Sequence, residues 1–472
     1  MLFSMSVVVG ATAQTTHLTF DDALSLGFER NPAIRATGYA ERAAHRERQA
    51  AIGLFMPRVS VRGAYTHFNK DVKVDVNHLK AKASGVVGSL LSNPDIASAL
   101  APYLPSIQSG LSSLLGVDLS YTLQRRNTAF LGGDVVVPLF AGGKIWTANK
   151  AAKINEERIA EQSRRVRGAL TVEIVERYFG VALASRVVAI RREAVEVVGQ
   201  HLHDVAMFEK EGMAVESERL YAEYRLAEAE RDLRRATLQL ETTQRALQTS
   251  LGATERVEPA TPMFLVAQIE PLDYFRAMAE LHNPQLGEVD RVRELARMDV
   301  RLKRADLFPE IVAMGGMLFC DHQLSPMLPR MAVGVGMNFK IFDGVRKEYN
   351  FSAARLQLRR VEALESGAKR DVQLLVESLY NSVQSVLATL SAVERSEQFA
   401  EEFLRAKRTA YGEGVATSTD VVDAALNLSR AKLERVQTAY ELDVALARLL
   451  EASGLADSFS RYLHSGGAQS VF

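Results

Sequence analysis

Two aspartates, Asp420 and Asp423, stand three residues apart, a spacing that sets both carboxylates on one face of a helix. They follow a turn in which Gly414 suits the positive φ of a helix C-terminus and Ser418 or Thr419 can cap the returning helix. Taken locally, such acids offset the dipole of a first turn. In a symmetric oligomer the same pair becomes a ring of carboxylates that selects cations and restricts a pore. Crowding of like charges would then raise their pKa values.

No constellation elsewhere supports catalysis. Gly142-Gly143-Lys144 lacks the upstream glycine and the following Ser or Thr of a phosphate loop. His201 and His203 are two apart on a helical stretch, point to different faces and cannot chelate together, so they read as solvent-facing. The chain has no HExxH, no GxSxG and no glycine-rich dinucleotide turn, and neither an enzyme nor a cofactor is expected. Lys+Arg and Asp+Glu balance at 57 each, so no basic field argues for nucleic acid. Cys320 is the single cysteine, which excludes a disulfide framework and a thiolate zinc site.

The elements that must position the aspartates occur twice. Asn31-Pro32 recurs as Asn283-Pro284, and Pro57 recurs as Pro309, with the same proline-to-proline interval in both copies. Phe140 and Gly142 recur as Phe342 and Gly344, and each Phe stands equally far before its turn glycine, Gly212 or Gly414. Gly252 and Gly454 close the copies, again at one shared distance from those glycines. Only one interval differs: Pro57 to Phe140 is much longer than its counterpart, Pro309 to Phe342, so the first copy carries an insertion there. A repeat of this length is a duplicated domain plan rather than a short solenoid.

Each copy reads helix, strand, strand, very long helix, turn, long helix. Alternating runs at about 58–68, 128–140, 310–320 and 330–341 have the length of a tilted strand crossing a bilayer. Taken singly, a weakly alternating run is more often half of a soluble sandwich than a membrane strand. Four strands cannot close a barrel, and unpaired edges are excluded from hydrocarbon, so a membrane form requires several chains. Residues 144–210 run without a proline, a helix of about 100 Å. Helices are likewise expected at about 214–251, 345–411 and 418–452. Leu226, Leu233, Leu240 and Leu247 stand seven apart, with Ala222, Ala229 and Ala236 each four positions before the next leucine, a coiled-coil seam.

The remaining segments complete the plan. Residues 1–13 read as a secretory signal, with an apolar run ending in Ala11-Thr12-Ala13. The first unit is expected at 14–252, with an extra external loop at about 70–127. That loop reads as a helical lid or plug, or simply as a mobile apolar loop. A linker at 253–272, marked by Pro259, Pro262 and Pro271, leads to the second unit at 273–454 and a polar, mobile tail at 455–472.

The layout and the turn motif together resemble the TolC-like outer-membrane efflux protein family over about residues 18–454, apart from the extra loop. The resemblance is carried by Asn31-Pro32, Asn283-Pro284, Pro57, Pro309, Pro138-Leu139-Phe140-Ala141-Gly142-Gly143, Ile341-Phe342-Asp343-Gly344 and the turns at Gly212 and Gly414. It implies an α+β membrane protein in which the duplicated helix–strand–strand–helix–helix unit forms one third of a homotrimer. That trimer would join a 12-stranded β-barrel in the outer membrane to a long periplasmic α-helical coiled-coil tunnel. The implied function is a passive exit duct for efflux or type I secretion, working with a periplasmic membrane-fusion adaptor and an inner-membrane RND or ABC pump. Gly212, Met213, Gly414 and Val415 would lie at the periplasmic tip that the adaptor contacts. Asp420 and Asp423 match a pore gate, Tyr411 resembles a tyrosine that holds it shut, and Glu218 resembles its acidic partner. Ala416 stands where an arginine completes the gate in the best-known member. The other reading of the residues is a periplasmic coiled-coil scaffold or adaptor without a barrel.

Overall fold

The residue before a proline is pushed out of the α region, so each Asn–Pro step ends one helix and opens the next. The computed structural model describes residues 15–70, 72–74, 121–266, 268–324, 329–464 and 468–470. The expected signal segment at 1–13 and the greater part of the extra loop, 75–120, lie outside the described residues. In the first copy α1 (Phe20–Arg30) stops at Asn31 and α2 (Pro32–Ile52) follows. Then come β2 (Arg58–His67), β5 (Asn127–Ala141), the 67-residue α3 (Lys144–Lys210) and α4 (Glu216–Leu251). The second copy has α5 (Leu272–His282), α6 (Pro284–Ala305), β8 (Glu310–His322), β9 (Met331–Asn338), the 67-residue α7 (Arg346–Gly412) and α8 (Ser418–Ala452). The described ends of the extra loop form a short antiparallel pair, β3 (Val72–Val74) with β4 (Tyr121–Gln124).

The chain divides into two compact units that do not coincide with the two copies. One comprises Met1–Ala44, Asn155–Arg293 and Val361–Phe472; the other comprises His45–Ile154 and Glu294–Arg360. Each unit draws on both halves of the sequence because equivalent elements of the copies pack together.

In the second unit the four long strands form one antiparallel sheet in the order β2-β5-β8-β9, so the two hairpins join at β5 and β8. The register aligns one face across all four strands. Val59 pairs with Val135, Val135 with Gly315 and Gly315 with Val333, while Val61, Gly133, Met317 and Met331 form the next row. Val59, Val61, Tyr65, Phe319, Val333, Val335 and Met337 are all more than half exposed on that face. The opposite face carries Ser60 and Arg62, both bound to Asp134: Ser60 Oγ donates at 2.7 Å and Arg62 Nε lies 3.1 Å from Oδ1. Pro138 sits in a central strand, but beyond the last β2 partner and at a bulge against β8, where its missing N–H breaks no ladder bond. Among the described residues β2 and β9 have free outer edges.

The first unit holds the main core. Phe20 of α1 packs on Tyr178 and Phe179 of α3, with ring centroids 5.6 Å apart in both pairs. Phe459, on α9 (Phe459–Leu463), lies 5.2 Å from Phe20. The segment expected as a linker is not an open tether: it supplies β6 (Arg256–Pro259), parallel to β1 (Thr15–Leu18), and β7 (Phe264–Val266). Val257, Met263 and Phe264 within it are buried. The tail expected to be mobile is also docked, through Phe459 and through β10 (Ala468–Ser470), which pairs with β7. Burying these aromatics removes apolar surface that a free linker and tail would leave in water.

Both Asn–Pro steps are tied to the end of the return helix of their own copy. Asn31 donates through Nδ2 to the carbonyl of Ser250 at 3.2 Å and accepts from Ala33 N–H. Asn283 donates to the carbonyl of Ala452 at 2.7 Å and accepts from Gln285 and Leu286 N–H. The same side chain caps a helix start and satisfies an orphan carbonyl at a helix end. Among the described residues no helix is long and apolar enough to cross a membrane.

Candidate functional site

The turns after α3 and α7 are built alike, bond for bond. Gly212 and Gly414 have φ of 74° and 75°, a left-handed conformation that glycine adopts without the strain a Cβ would bring. Gly212 N–H donates to the Glu209 carbonyl at 3.0 Å and Met213 N–H to Phe208 at 2.8 Å. Gly414 N–H donates to Tyr411 at 3.0 Å and Val415 N–H to Ala410 at 2.9 Å, so both helices end in the same Schellman closure. Met213 and Val415 project from the turns, 69% and 80% exposed.

The two returning helices start differently. Thr417, one residue before the expected caps, is the N-cap of α8. Its Oγ1 accepts from Asp420 N–H at 3.3 Å, and Asp420 Oδ2 accepts from Thr417 N–H at 3.0 Å, a reciprocal capping box. The α4 helix begins after Val215 with no side-chain cap. Ser418 is fully buried and its Oγ pairs with His201 Nε2 at 2.8 Å. His201, expected on a solvent face, is therefore a buried residue beneath the start of α8, while His203 is exposed. Burial lowers the His201 pKa; the charge of Asp204 and the bond to Ser418 oppose that shift, and Arg408 adds to it.

Each of the two aspartates is engaged within its own chain. Lys407 Nζ lies 3.2 Å from Asp420 Oδ1. The Thr417 backbone N–H, then the Thr417 hydroxyl and Lys407, hold the Asp420 carboxyl below its ordinary pKa. Asp423 Oδ1 accepts from Tyr221 Oη and Arg225 Nη2, both at 2.9 Å. Arg225 also donates Nε to Tyr221 Oη at 2.9 Å and Nη1 to Glu228 at 3.0 Å. Within one chain, then, Asp420 is stabilised as a carboxylate, opposite to the shift expected of a crowded ring.

Tyr411 packs edge-on against His201 at 5.1 Å and Phe208 at 5.7 Å. Its pKa is raised by burial first and by the charges of Glu218 and Asp204 next. Glu218 is thus near Tyr411, but among the described residues no hydrogen bond joins them. Tyr221, Arg225 and Lys407 are the residues that sequence reasoning missed, and His201 is the one it misplaced. One signal was present: Tyr221 follows Gly212 at the same spacing as Asp423 follows Gly414, so equivalent positions of the copies meet.

Residues 276–455 match the family described as Outer membrane efflux protein. The chain is 25% identical to the alkaline protease secretion protein AprF of Pseudomonas aeruginosa over 324 residues, 65% of either protein and so slightly under two thirds of AprF. It is 25% identical to the outer membrane protein TolC of Escherichia coli over 206 residues, 39% of this chain and 40% of TolC. The fold is that of solved outer-membrane channels: a crystal structure of CusC superposes with a TM-score of 0.73 at 16% identity, covering 93% of this chain and 92% of CusC.

Proposed function

We propose that this chain is a member of the TolC-like outer-membrane efflux protein family and forms one third of a passive exit duct that opens at the outer membrane and extends into the periplasm. The observation that carries this reading is the four-stranded sheet with its continuous apolar face and two open edges. Open edges are not tolerated in hydrocarbon, and closing them takes neighbouring sheets of the same kind. Three copies supply three times four strands, a 12-stranded barrel. The helices support the same assembly: Leu364, Leu374 and Phe399 of α7 are each more than half exposed in the single chain, apolar surface that a neighbouring protomer would cover.

The duct carries no energy source of its own. A periplasmic membrane-fusion adaptor would meet the tip at Gly212, Met213, Gly414 and Val415 and link it to an inner-membrane RND or ABC pump. Asp420, Asp423, Tyr411 and Glu218 would form the gate at that end. The similarity to AprF supports a secretion role, and the match to the efflux family supports expulsion of small molecules; one duct geometry serves both. Ala416 removes the arginine of the best-known gate, and the bonds from Tyr221 and Arg225 to Asp423 offer a different way of holding the helices together.

The test is the native mass of the protein extracted from outer membranes in mild detergent. A trimer is expected. A monomer recovered with the soluble periplasm would replace the duct by a coiled-coil scaffold.

A further inference from the structure

We propose that Lys407 and Arg225 set the ion selectivity of the entrance by neutralising Asp420 and Asp423, so that the wild-type duct discriminates weakly between cations and anions. The inference rests on the duct reading, in which this end of the helices surrounds the permeation path. Both ion pairs lie within one unit of the chain. Asp420 has Lys407 at 3.2 Å, and Asp423 has Arg225 at 2.9 Å with Tyr221 donating to the same oxygen. The pairs are independent: Lys407 comes from α7 and Arg225 from α4. In both, the cation is the less exposed partner, with side chains 30% exposed for Lys407 and 22% for Arg225, against 39% for Asp420 and 45% for Asp423. A ring of carboxylates favours cations only through its uncompensated charge. Here Asp420 is matched by Lys407, and Asp423 shares Arg225 with Glu228, which Arg231 also holds at 3.2 Å, so threefold repetition multiplies a sum near zero.

The experiment is the reversal potential of purified trimers in a planar bilayer under a potassium chloride gradient. A cation-to-anion permeability ratio near unity is expected for the wild type. Arg225→Gln and Lys407→Gln should each raise the ratio by about tenfold or more, since one unit charge about 6 Å from the ion path in water favours a cation and disfavours an anion by about threefold each. Adding Asp423→Asn to Arg225→Gln, or Asp420→Asn to Lys407→Gln, should return it toward the wild-type value. That reversal separates charge from distortion, since a structural defect would not be undone by a second substitution. Arg225→Lys and Lys407→Arg keep the charge and should keep the wild-type ratio. If Arg225→Gln does not assemble, the Lys407 pair decides the question alone. Strong cation selectivity in the wild type, unmoved by either substitution, would overturn the assignment while leaving the duct intact. Wild-type protein that forms no channel would overturn the duct reading and this inference with it.

Discussion

Arg225 places Nη2 2.9 Å from Oδ1 of Asp423 and thereby joins the return helix of the first copy to that of the second. Tyr221 donates to the same oxygen from one turn earlier, and the Arg225 guanidinium lies 5.2 Å over its ring. The three groups form one node, and removing any of them loosens the contact between α4 and α8. Both charged partners are partly exposed, so solvent screens the pair. A double-mutant cycle of Arg225→Ala and Asp423→Ala, read by denaturant unfolding, should give a coupling of about 0.5–1 kcal/mol. Additive single substitutions would mean that the two side chains do not hold the helices together.

The unequal caps at the two turns make a paired prediction. Thr417→Ala removes the side-chain half of the capping box and should cost about 1 kcal/mol. At the equivalent position of the first copy Val215 has extended backbone, φ −97° and ψ 149°, compatible with a capping residue. Val215→Thr should therefore slow amide exchange in the first turn of α4, whereas Thr417→Ala should speed it in α8. Equal exchange in both wild-type turns would mean that the cap has no influence on the tip.

His201 links the tip to pH. Burial holds its folded pKa below the ordinary value near 6.5, so the native state favours the neutral ring. The unfolded chain then takes up the proton first. Stability from this residue is present above the unfolded pKa and declines as pH falls through about 6.5 toward the lower folded value. The protection of the amides over 418–422, relative to their intrinsic exchange rates at each pH, should fall between about pH 7 and pH 5. His201→Gln should remove that part of the pH dependence, and an unchanged slope would assign it to other groups.

Asp443 makes the opposite prediction. It is fully buried on α8; neither carboxylate oxygen has a hydrogen-bond partner of good geometry, and desolvation raises its pKa well above the ordinary value, which the backbone of Phe264 offsets only in part. Stability from a neutral Asp443 is fully present below the unfolded pKa near 3.9 and is lost as pH rises through the folded value. Asp443→Asn keeps the shape without the titration. At pH 8 the variant should be more stable by about 1–3 kcal/mol, the cost of a buried unsatisfied polar group, and the gap should narrow toward pH 5. A variant less stable at both pH values would mean that the carboxylate has a partner that the amide cannot replace.

The sequence by itself determined the duplication, the lengths of the helices, the positions of the four long strands and the two glycine turns. These are local matters: proline forbids the α region before it, Gly212 and Gly414 supply positive φ, and an alternating run prescribes a strand. It also marked Asn31 and Asn283 as special, although not why. Only the tertiary structure decided which elements meet. Periodicity identifies the face of a helix that wants burial but not what covers it, so His201 read as exposed and proved to lie under Ser418. Nor did proline-rich composition reveal that residues 253–272 contribute Phe264 to the core, since burial there depends on Phe459, in the tail beyond the second copy. Asp420 and Asp423 were legible as a pair because they stand so close in the chain. Their cations were not: Lys407 meets Asp420 only because the turn folds α8 back on α7, and Arg225 reaches Asp423 from the other copy, a separation that only the packing of the two return helices closes.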